Sequence, residues 1–277
     1  MASSAFTQVP ASVCILRLSA IGDTCHVLPV VRTLQRAWPN TRFTWVIGRV
    51  EAKLMSRIPD IEFVVVDKSS LWNSVRTVRQ AMRGRQFDVL MHMQLALRAS
   101  LLSMFIPARI KLGFDRKRAR ELQWLFTTNR IRPADRQHVM DSLFGFAEKF
   151  GVYEKILRWD IPLTEADREY AKDLIPDGRQ TLVISPCSSH RLRNWRAEYY
   201  AEVADYAVGA LGMRVVLVGG RSETEKRMGE AIVARMHQPV ENNIGQDTLP
   251  QLLATLERAV RRLGRQDEKR KCPKDAD

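Results

Sequence analysis

The stretch Leu16-Arg17-Leu18-Ser19-Ala20-Ile21-Gly22-Asp23-Thr24-Cys25-His26 decides the fold. It ends an apolar run that begins at residue 13, breaks at small residues, and leads into a segment with apolar residues at helical spacing. That order predicts a strand, a tight turn and a helix. Asp23 is then placed at the carboxyl end of a strand, where ligands gather in open α/β sheets.

A carboxylate at this position has two interpretations. Asp is a favoured residue at helix N-termini, where its side chain caps backbone N–H groups. It is also suited to act as a general base beside a bound ligand. The spacing alone does not separate the cap from the base.

The rest of the chain alternates strand-like and helix-like segments, which is typical of βαβ units and parallel sheets. The predicted strands are residues 13–18, 43–47, 63–67, 88–93, 109–113, 181–185, 214–218 and, weakly, 240–244. The predicted helices are residues 24–38, 51–57, 71–83, 95–105, 138–150, 164–174, 197–210, 223–236 and 248–259. We therefore expect an α/β protein with two Rossmann-like lobes of parallel strands and a cleft between them.

The predicted lobes are unequal. The first covers residues 1–155 and has five strands, whereas the second, residues 156–260, has only two clear strands and a weak one. From residue 261 to residue 277, eleven of seventeen residues are charged. Such a composition buries too little apolar surface to fold, so we expect a disordered tail there.

Charge narrows the class of partner. With 44 Lys and Arg against 31 Asp and Glu, the formal net charge is +13. An excess of this size favours an anionic partner, which is a nucleic acid, an anionic membrane or a phosphorylated substrate. Residues 107–136 alone hold nine basic and three acidic residues, with Phe114 and Trp124 interleaved. This segment is either a solvent-exposed face without a partner or a surface that binds an anion.

Other classes are disfavoured. The four cysteines show neither metal-ligand spacing nor a disulfide framework, so we expect no metal and a reducing, cytoplasmic setting. No signal peptide or stretch long enough to span a bilayer is evident, which leaves peripheral contact with an anionic inner membrane. Nucleic-acid binding is disfavoured because no known nucleic-acid-binding pattern accompanies the charge.

Two loops of the second lobe are candidate ligand sites. Ser188, Ser189 and Arg193 lie between a predicted strand and a helix, where hydroxyl, N–H and guanidinium groups bind phosphate. The alternative is a solvated loop with capping serines. After Gly219-Gly220, Glu223 or Glu225 could accept hydrogen bonds from ribose, although an acidic first turn with a serine cap is an equally simple explanation. No GxGxxG motif favours a dinucleotide.

Together these motifs resemble glycosyltransferase family 9, the heptosyltransferases of the lipopolysaccharide inner core. The resemblance is carried by residues 19–29, by Gln137-His138-Val139-Met140-Asp141, and by residues 188–195 with 216–220. It implies the two-lobed GT-B fold and inverting, metal-independent transfer without a cofactor, from ADP-heptose to a phosphorylated lipid A–Kdo acceptor at the inner face of the cytoplasmic membrane.

The resemblance also assigns roles to residues. Asp23 is the expected base that deprotonates the acceptor hydroxyl, and Arg193 is expected to steady the donor diphosphate. The serines and glutamates of the second lobe are expected to bind the donor. The acceptor side is expected to comprise Ser19, His26, Arg116, Arg120 and His138. Taken singly, His26 and His138 are more commonly packed or surface histidines.

This sequence departs from the family pattern in three places. Arg193 stands where family members often have Lys, and Trp195-Arg196 replaces the usual Trp-Pro. The family's Asp-Ser/Thr-Gly-Pro-x-His donor loop has no counterpart after residue 259, so the second lobe is expected to be incomplete. The alternatives are a member that uses another sugar donor and a non-catalytic remnant that binds nucleotide or anionic glycolipid.

Overall fold

The computed structural model describes residues 8–135, 137–176, 178–188 and 191–267. The chain forms two compact units, Met1–Pro162 and Leu163–Asp277. The division falls after Pro162, whereas the sequence placed it after residue 155. Each unit is an α/β layer structure with its own parallel sheet.

The sheet of the first unit has six parallel strands in the order β3-β2-β1-β4-β5-β6. The strands are β1 (Ser12–Leu16), β2 (Arg42–Gly48), β3 (Ile61–Val66), β4 (Phe87–His92), β5 (Ala108–Gly113) and β6 (Asn129–Arg130). Five of them were predicted, and the two-residue β6 was missed because so short a strand carries no alternation signal. The order reverses between β1 and β4, so these two strands form the topological switch point.

Helices connect these strands and cover both faces of the sheet. They are α1 (Ile21–Ala37), α2 (Arg49–Met55), α3 (Leu71–Ala81), α4 (Leu97–Ser103) and α5 (Val139–Glu148). The central strand explains the core, since Val13, Cys14, Ile15 and Leu16 are all fully buried. An apolar run without alternation is expected where a strand has helices on both faces.

Helix α1 contains Pro29 beyond its first turn. Proline has no N–H to donate, so the carbonyl of Cys25, four residues earlier, loses its helical partner. The indole Nε1 of Trp159 donates a hydrogen bond to that carbonyl at 3.0 Å. The Trp159 side chain thereby replaces the hydrogen-bond donor that proline lacks.

The second unit has a three-stranded parallel sheet in the order β7-β8-β9. Its strands are β7 (Thr181–Ile184), β8 (Arg214–Leu217) and β9 (Glu241–Asn242), and its helices are α6 (Glu165–Leu174), α7 (Ala197–Gly209), α8 (Glu223–Val233) and α9 (Leu249–Asp267). The small residues Ala201, Ala204 and Ala207 let α7 pack closely against Val215 and Leu217. The weakly predicted strand is present as β9.

The last helix differs from its prediction. Helix α9 continues to Asp267, whereas the sequence ended it at residue 259 and predicted a disordered tail from residue 261. The helix bound was set too short because Arg, Gln and Leu have high helix propensity and extending a helix costs less than nucleating one, whereas disorder of the charged tail stays a prediction. Residues 268–277 lie outside the described residues.

Gly48 ends β2 where the chain turns into α2. A Cβ atom there would collide with the Leu18 carbonyl oxygen and lie 2.5 Å from Glu51 Oε2. Glu51 is buried and paired with Lys68 Nζ at 2.8 Å. A side chain at residue 48 would therefore displace both the loop after β1 and this ion pair.

We expect Gly48→Ala to lower the free energy of unfolding by about 1–3 kcal/mol, because the neighbouring backbone cannot move away. Gly22→Ala is the matched control, since nothing lies within 4 Å of the added Cβ. In the first turn of α1 that change should stabilise by up to about 1 kcal/mol. Urea unfolding followed by circular dichroism measures both, and equal stability of the two variants would contradict this prediction.

Candidate active site

The candidate site of the first unit lies at the carboxyl ends of β1 and β4, where the strand order reverses. Residues 17–20 leave β1 here, and α1 begins at Ile21. Crevices at such a switch point are the usual ligand sites of open α/β sheets. The residues that follow β1, β4 and β5 all contribute side chains to this edge.

Asp23 lies in the first turn of α1, with its side chain 37% exposed. Its Oδ2 accepts a hydrogen bond from the backbone N–H of Ala20 at 3.2 Å and forms an ion pair with Arg17. No hydrogen bond to Oδ1 is made by any residue that the structure describes. The two interpretations of Asp23 are therefore compatible, because the cap occupies one oxygen and leaves the other for a ligand.

Arg17 is a site residue that the sequence analysis missed. It is only 8% exposed, and it donates from Nε to the Ser19 carbonyl at 2.8 Å and from NH1 to the Met93 carbonyl at 2.5 Å. Burial lowers the pKa of Arg17, and the neighbouring Asp23 carboxylate opposes that shift. An arginine inside an apolar strand run was the available signal, since a buried guanidinium needs a partner.

Two glutamines join the ends of three strands. Gln94 Oε1 accepts from the backbone N–H groups of Leu18 at 3.0 Å and Ser19 at 3.2 Å. Gln123 is fully buried, and its Nε2 donates to the Gln94 carbonyl at 2.9 Å. Its Oε1 accepts from the Phe114 N–H at 3.2 Å. The loops that follow β1, β4 and β5 are thus fixed to one another beneath the site.

His92, the last residue of β4, completes this buried network. Its carbonyl oxygen accepts from Gln123 Nε2 at 2.8 Å, and its Nδ1 lies 3.1 Å from the same nitrogen. Its Nε2 is buried and has no hydrogen-bond partner among the described residues. Burial, aided by the Lys111 cation and opposed by a backbone hydrogen bond, lowers the pKa of His92 to about 3.

The structure brings His26 and His138 together. Their rings meet edge to face with centroids 5.6 Å apart, although the residues lie on α1 and at the start of α5. His138 Nδ1 accepts from the Met140 N–H at 3.2 Å and caps α5. Within the described residues, the buried Nδ1 of His26 has no hydrogen-bond partner. His26 is one helical turn beyond Asp23.

The basic segment divides into structural and exposed arginines. Arg118 forms an ion pair with the buried Asp115 and donates to Gln137 at 3.0 Å and Ser142 at 2.9 Å, which ties the segment to α5. Arg116 and Arg120 are exposed, and Arg116 lies 5.0 Å from the centre of the Trp124 ring. Two predicted acceptor-side residues are therefore available to an anionic ligand.

In the second unit, the predicted phosphate loop follows β7. The Ser188 N–H donates to Asn194 Oδ1 at 2.8 Å, which closes the loop on itself. Arg193 ends a short 3-10 helix and is exposed. Ser189 lies outside the described residues.

The two predicted glutamates have different surroundings. Glu225 accepts from the Gly220 N–H at 2.8 Å and from Ser222 Oγ at 2.6 Å, so its carboxylate holds the loop that precedes α8. The Glu223 side chain is 73% exposed and pairs with Lys226 at 3.0 Å. Contact of either glutamate with a donor stays a prediction.

Neither a metal cluster nor a membrane span is found in the described part of the chain. Its His, Cys, Asp and Glu residues form no group of three that could hold a metal ion. None of its helices is long and apolar enough to cross a bilayer.

Comparison with known proteins gives the family. The model of glycosyltransferase family 9 (heptosyltransferase) matches residues 75–264. The lipopolysaccharide core heptosyltransferase OpsX of Haemophilus influenzae is 41% identical over 251 residues, which are 91% of this chain and 72% of that protein. This chain belongs to glycosyltransferase family 9.

Solved structures agree on the fold. A family 9 glycosyltransferase from Veillonella parvula has a TM-score of 0.77 at 25% identity, covering 90% of this chain and 73% of its own. The E. coli heptosyltransferase WaaC, solved with ADP-2-deoxy-2-fluoro heptose, has a TM-score of 0.69 at 22% identity, covering 88% and 79% respectively. The predicted GT-B-like α/β fold with parallel sheets is confirmed.

The burial of His92 leads to a prediction about stability in acid. Because the folded-state pKa is about 3 and the unfolded value is 6.5, the unfolded chain binds more protons between these values. Stability is therefore lost as the pH falls below the unfolded value. From about pH 7 to pH 5 the loss should be about 2 kcal/mol.

His92→Gln should flatten this part of the stability profile, measured by urea unfolding over that pH range. If the variant does not fold, NMR titration of the unmodified protein still decides the matter. A His92 imidazole that becomes protonated near its ordinary pKa would contradict the prediction.

Proposed function

We propose that this chain transfers a heptose from ADP-heptose to the lipid A–Kdo inner core of lipopolysaccharide, with inversion at the anomeric carbon. The observation that carries the proposal is the Asp23 carboxylate at the β1–β4 switch point, with Oδ2 held and Oδ1 open. Family membership and the similarity to OpsX support it.

In the proposed reaction, the hydroxyl oxygen of the acceptor attacks the anomeric carbon of the donor, and Asp23 Oδ1 takes the proton of that hydroxyl. The new C–O bond forms on the face opposite the leaving group, the bond to the diphosphate breaks, and ADP departs. The Arg17 cation pairs with the other carboxylate oxygen and fixes the orientation of the side chain. Positioning of this kind supplies a large part of an enzymatic rate.

Charge complementarity supports the assignment of the two substrates. Arg193, with Ser188 and Ser189, would bind the donor diphosphate. Glu223 would accept hydrogen bonds from the ribose hydroxyls. On the acceptor side, Arg116 and Arg120 would contact the phosphorylated core. Ser19, His26 and His138 complete the predicted acceptor site, which we place at the cytoplasmic face of the inner membrane.

We expect Asp23→Asn to lower kcat by about a hundredfold to ten-thousandfold, because the amide cannot accept the proton. The amide oxygen still accepts from the Ala20 N–H, so the variant should fold, with lower stability because the buried Arg17 loses its paired charge. Heptose transfer from ADP-heptose to a Kdo–lipid A acceptor is the assay, with ADP affinity measured in parallel.

Asp60→Asn is the matched control, since Asp60 is exposed, precedes β3 at the opposite edge of the sheet, and has a left-handed φ of 63° that Asn tolerates. Its rate should equal that of the unmodified chain. A fully active Asp23→Asn variant would remove Asp23 as the base.

Arg193→Ala should weaken ADP-heptose binding by about tenfold to a hundredfold, because a charge-assisted contact with the diphosphate is lost. The KM for the acceptor should change little, and Arg193→Lys should recover part of the affinity. Arg227→Ala, an exposed arginine on α8, is the control.

Isothermal titration calorimetry with ADP and ADP-heptose measures the donor affinity, and steady-state kinetics give the KM for the acceptor. Equal losses on the donor and acceptor sides would contradict the assignment. Titration of the unmodified chain also tests the donor. Tighter binding of a different nucleotide sugar would point to a family member with another substrate.

A further inference from the structure

Large apolar side chains are exposed at the carboxyl edge of the first sheet. Leu97 at the start of α4 is 42% exposed, and Leu122 and Leu125, between β5 and β6, are 54% and 59% exposed. Trp72 lies at the same edge, because it is in the first turn of α3 and α3 follows a parallel strand. Its side chain is 84% exposed. A leucine alone on a surface is ordinary, but several at one edge call for an explanation.

The leucines share a rigid base. The Glu121 carboxylate accepts a hydrogen bond from the Leu97 N–H at 2.5 Å, which holds the segment against the start of α4. Gln123, between the two exposed leucines, is buried in the network beneath the active site. Glu121 and Leu122 have φ values of 48° and 60°, which L-residues rarely adopt. The fold thus holds Leu122 outward at a position where the backbone itself is strained.

The surroundings are positively charged. Arg98, Arg116 and Arg120 are all exposed around these leucines. Between β5 and β6, Asp115 pairs with Arg118, while Glu121 accepts from the Leu97 N–H and keeps its charge. Three exposed arginines against this one carboxylate leave the local charge positive.

We propose that this docking surface, formed by Leu97, Leu122 and Leu125 with Trp72 at its margin and ringed by the three arginines, binds the surface of an anionic lipid bilayer. Leucine and tryptophan side chains would enter the boundary between headgroups and acyl chains, while the arginines meet anionic headgroups. This inference rests on the proposed function. Docking through this surface would turn the edge that carries Asp23 toward the bilayer, in which a lipid-anchored acceptor lies.

The second unit provides a contrasting surface. On α7, Tyr199, Val203 and Tyr206 are 44%, 46% and 63% exposed and form a stripe at helical spacing. Three acidic residues, Glu198, Glu202 and Asp205, lie on the same helix, and the one cation on the stripe, Arg196, contacts the Tyr199 ring and pairs with Glu198. Glu202 and Asp205 then leave the stripe with similar apolar exposure but a charge unfavourable for an anionic bilayer, so it serves as a matched control.

The test is flotation of the full chain with vesicles of phosphatidylcholine alone and of an equimolar mixture with phosphatidylglycerol. We expect binding to the mixed vesicles only, weakened by added salt. The double variant Leu122→Asn and Leu125→Gln should lower the partition coefficient by at least about tenfold. Asn suits the left-handed backbone of residue 122. The control Val203→Asn and Tyr206→Gln should bind like the unmodified chain.

Equal binding to both vesicle types, or a leucine variant that floats as well as the unmodified chain, would overturn the proposal. So would equal losses in the leucine and α7 variants. If the leucine variant fails to fold, judged by its melting curve, Trp72→Ser gives a second test at the margin of the surface, where a reduced partition coefficient is expected.

Transfer assays separate this proposal from the proposed function. The leucine variant should retain activity on a deacylated, water-soluble acceptor and lose it on an acceptor embedded in vesicles. An unmodified chain that binds anionic vesicles but transfers heptose to neither acceptor would refute the proposed function and leave the docking surface standing.

Discussion

The buried guanidinium of Arg17 is the constraint around which the candidate active site is built. A buried cation is tolerated only when its donors are satisfied and its charge is paired. Arg17 meets this need with the Ser19 and Met93 carbonyls and the Asp23 carboxylate. These partners follow β1 and β4 and begin α1, so one side chain fixes all three relative to one another. The carboxylate proposed as the base is thereby oriented before any substrate binds.

Much of this arrangement was predictable and some of it was not. The alternation of apolar runs and helical segments identified the strands, and Asp23 was found because a carboxylate after a buried strand falls on the ligand edge. Gln94 and Gln123 were missed because an isolated glutamine has no periodic or motif signal. Their roles arise only when β1, β4 and β5 become neighbours in the sheet. The end of helix α9 was placed too early because its last residues are highly charged and have few apolar positions to mark a helical period.

Net charge was a coarser guide than the local arrangement of charges. Several basic residues serve the fold: Arg17 is buried, Arg118 joins Asp115 to α5, and Lys111 Nζ donates to the Ser103 carbonyl at 2.7 Å. These residues add to the formal charge of +13 but are not free to meet an anion. Arg116 and Arg120, in the same segment as Arg118, are exposed. The formal charge therefore says less about a partner than the position and pairing of each cation.

The segment between β5 and β6 links the two proposals through Gln123. Its buried amide joins the strand ends beneath Asp23, and its chain neighbours on one side, Glu121 and Leu122, adopt left-handed backbone conformations. A backbone fixed at Gln123 and at the Leu97 N–H cannot withdraw Leu122 from solvent without disturbing the network under the carboxylate. The requirements of the site thus keep an apolar side chain exposed at its margin. An anionic bilayer that covers this margin would remove that apolar surface from water and hold the site open toward its acceptor.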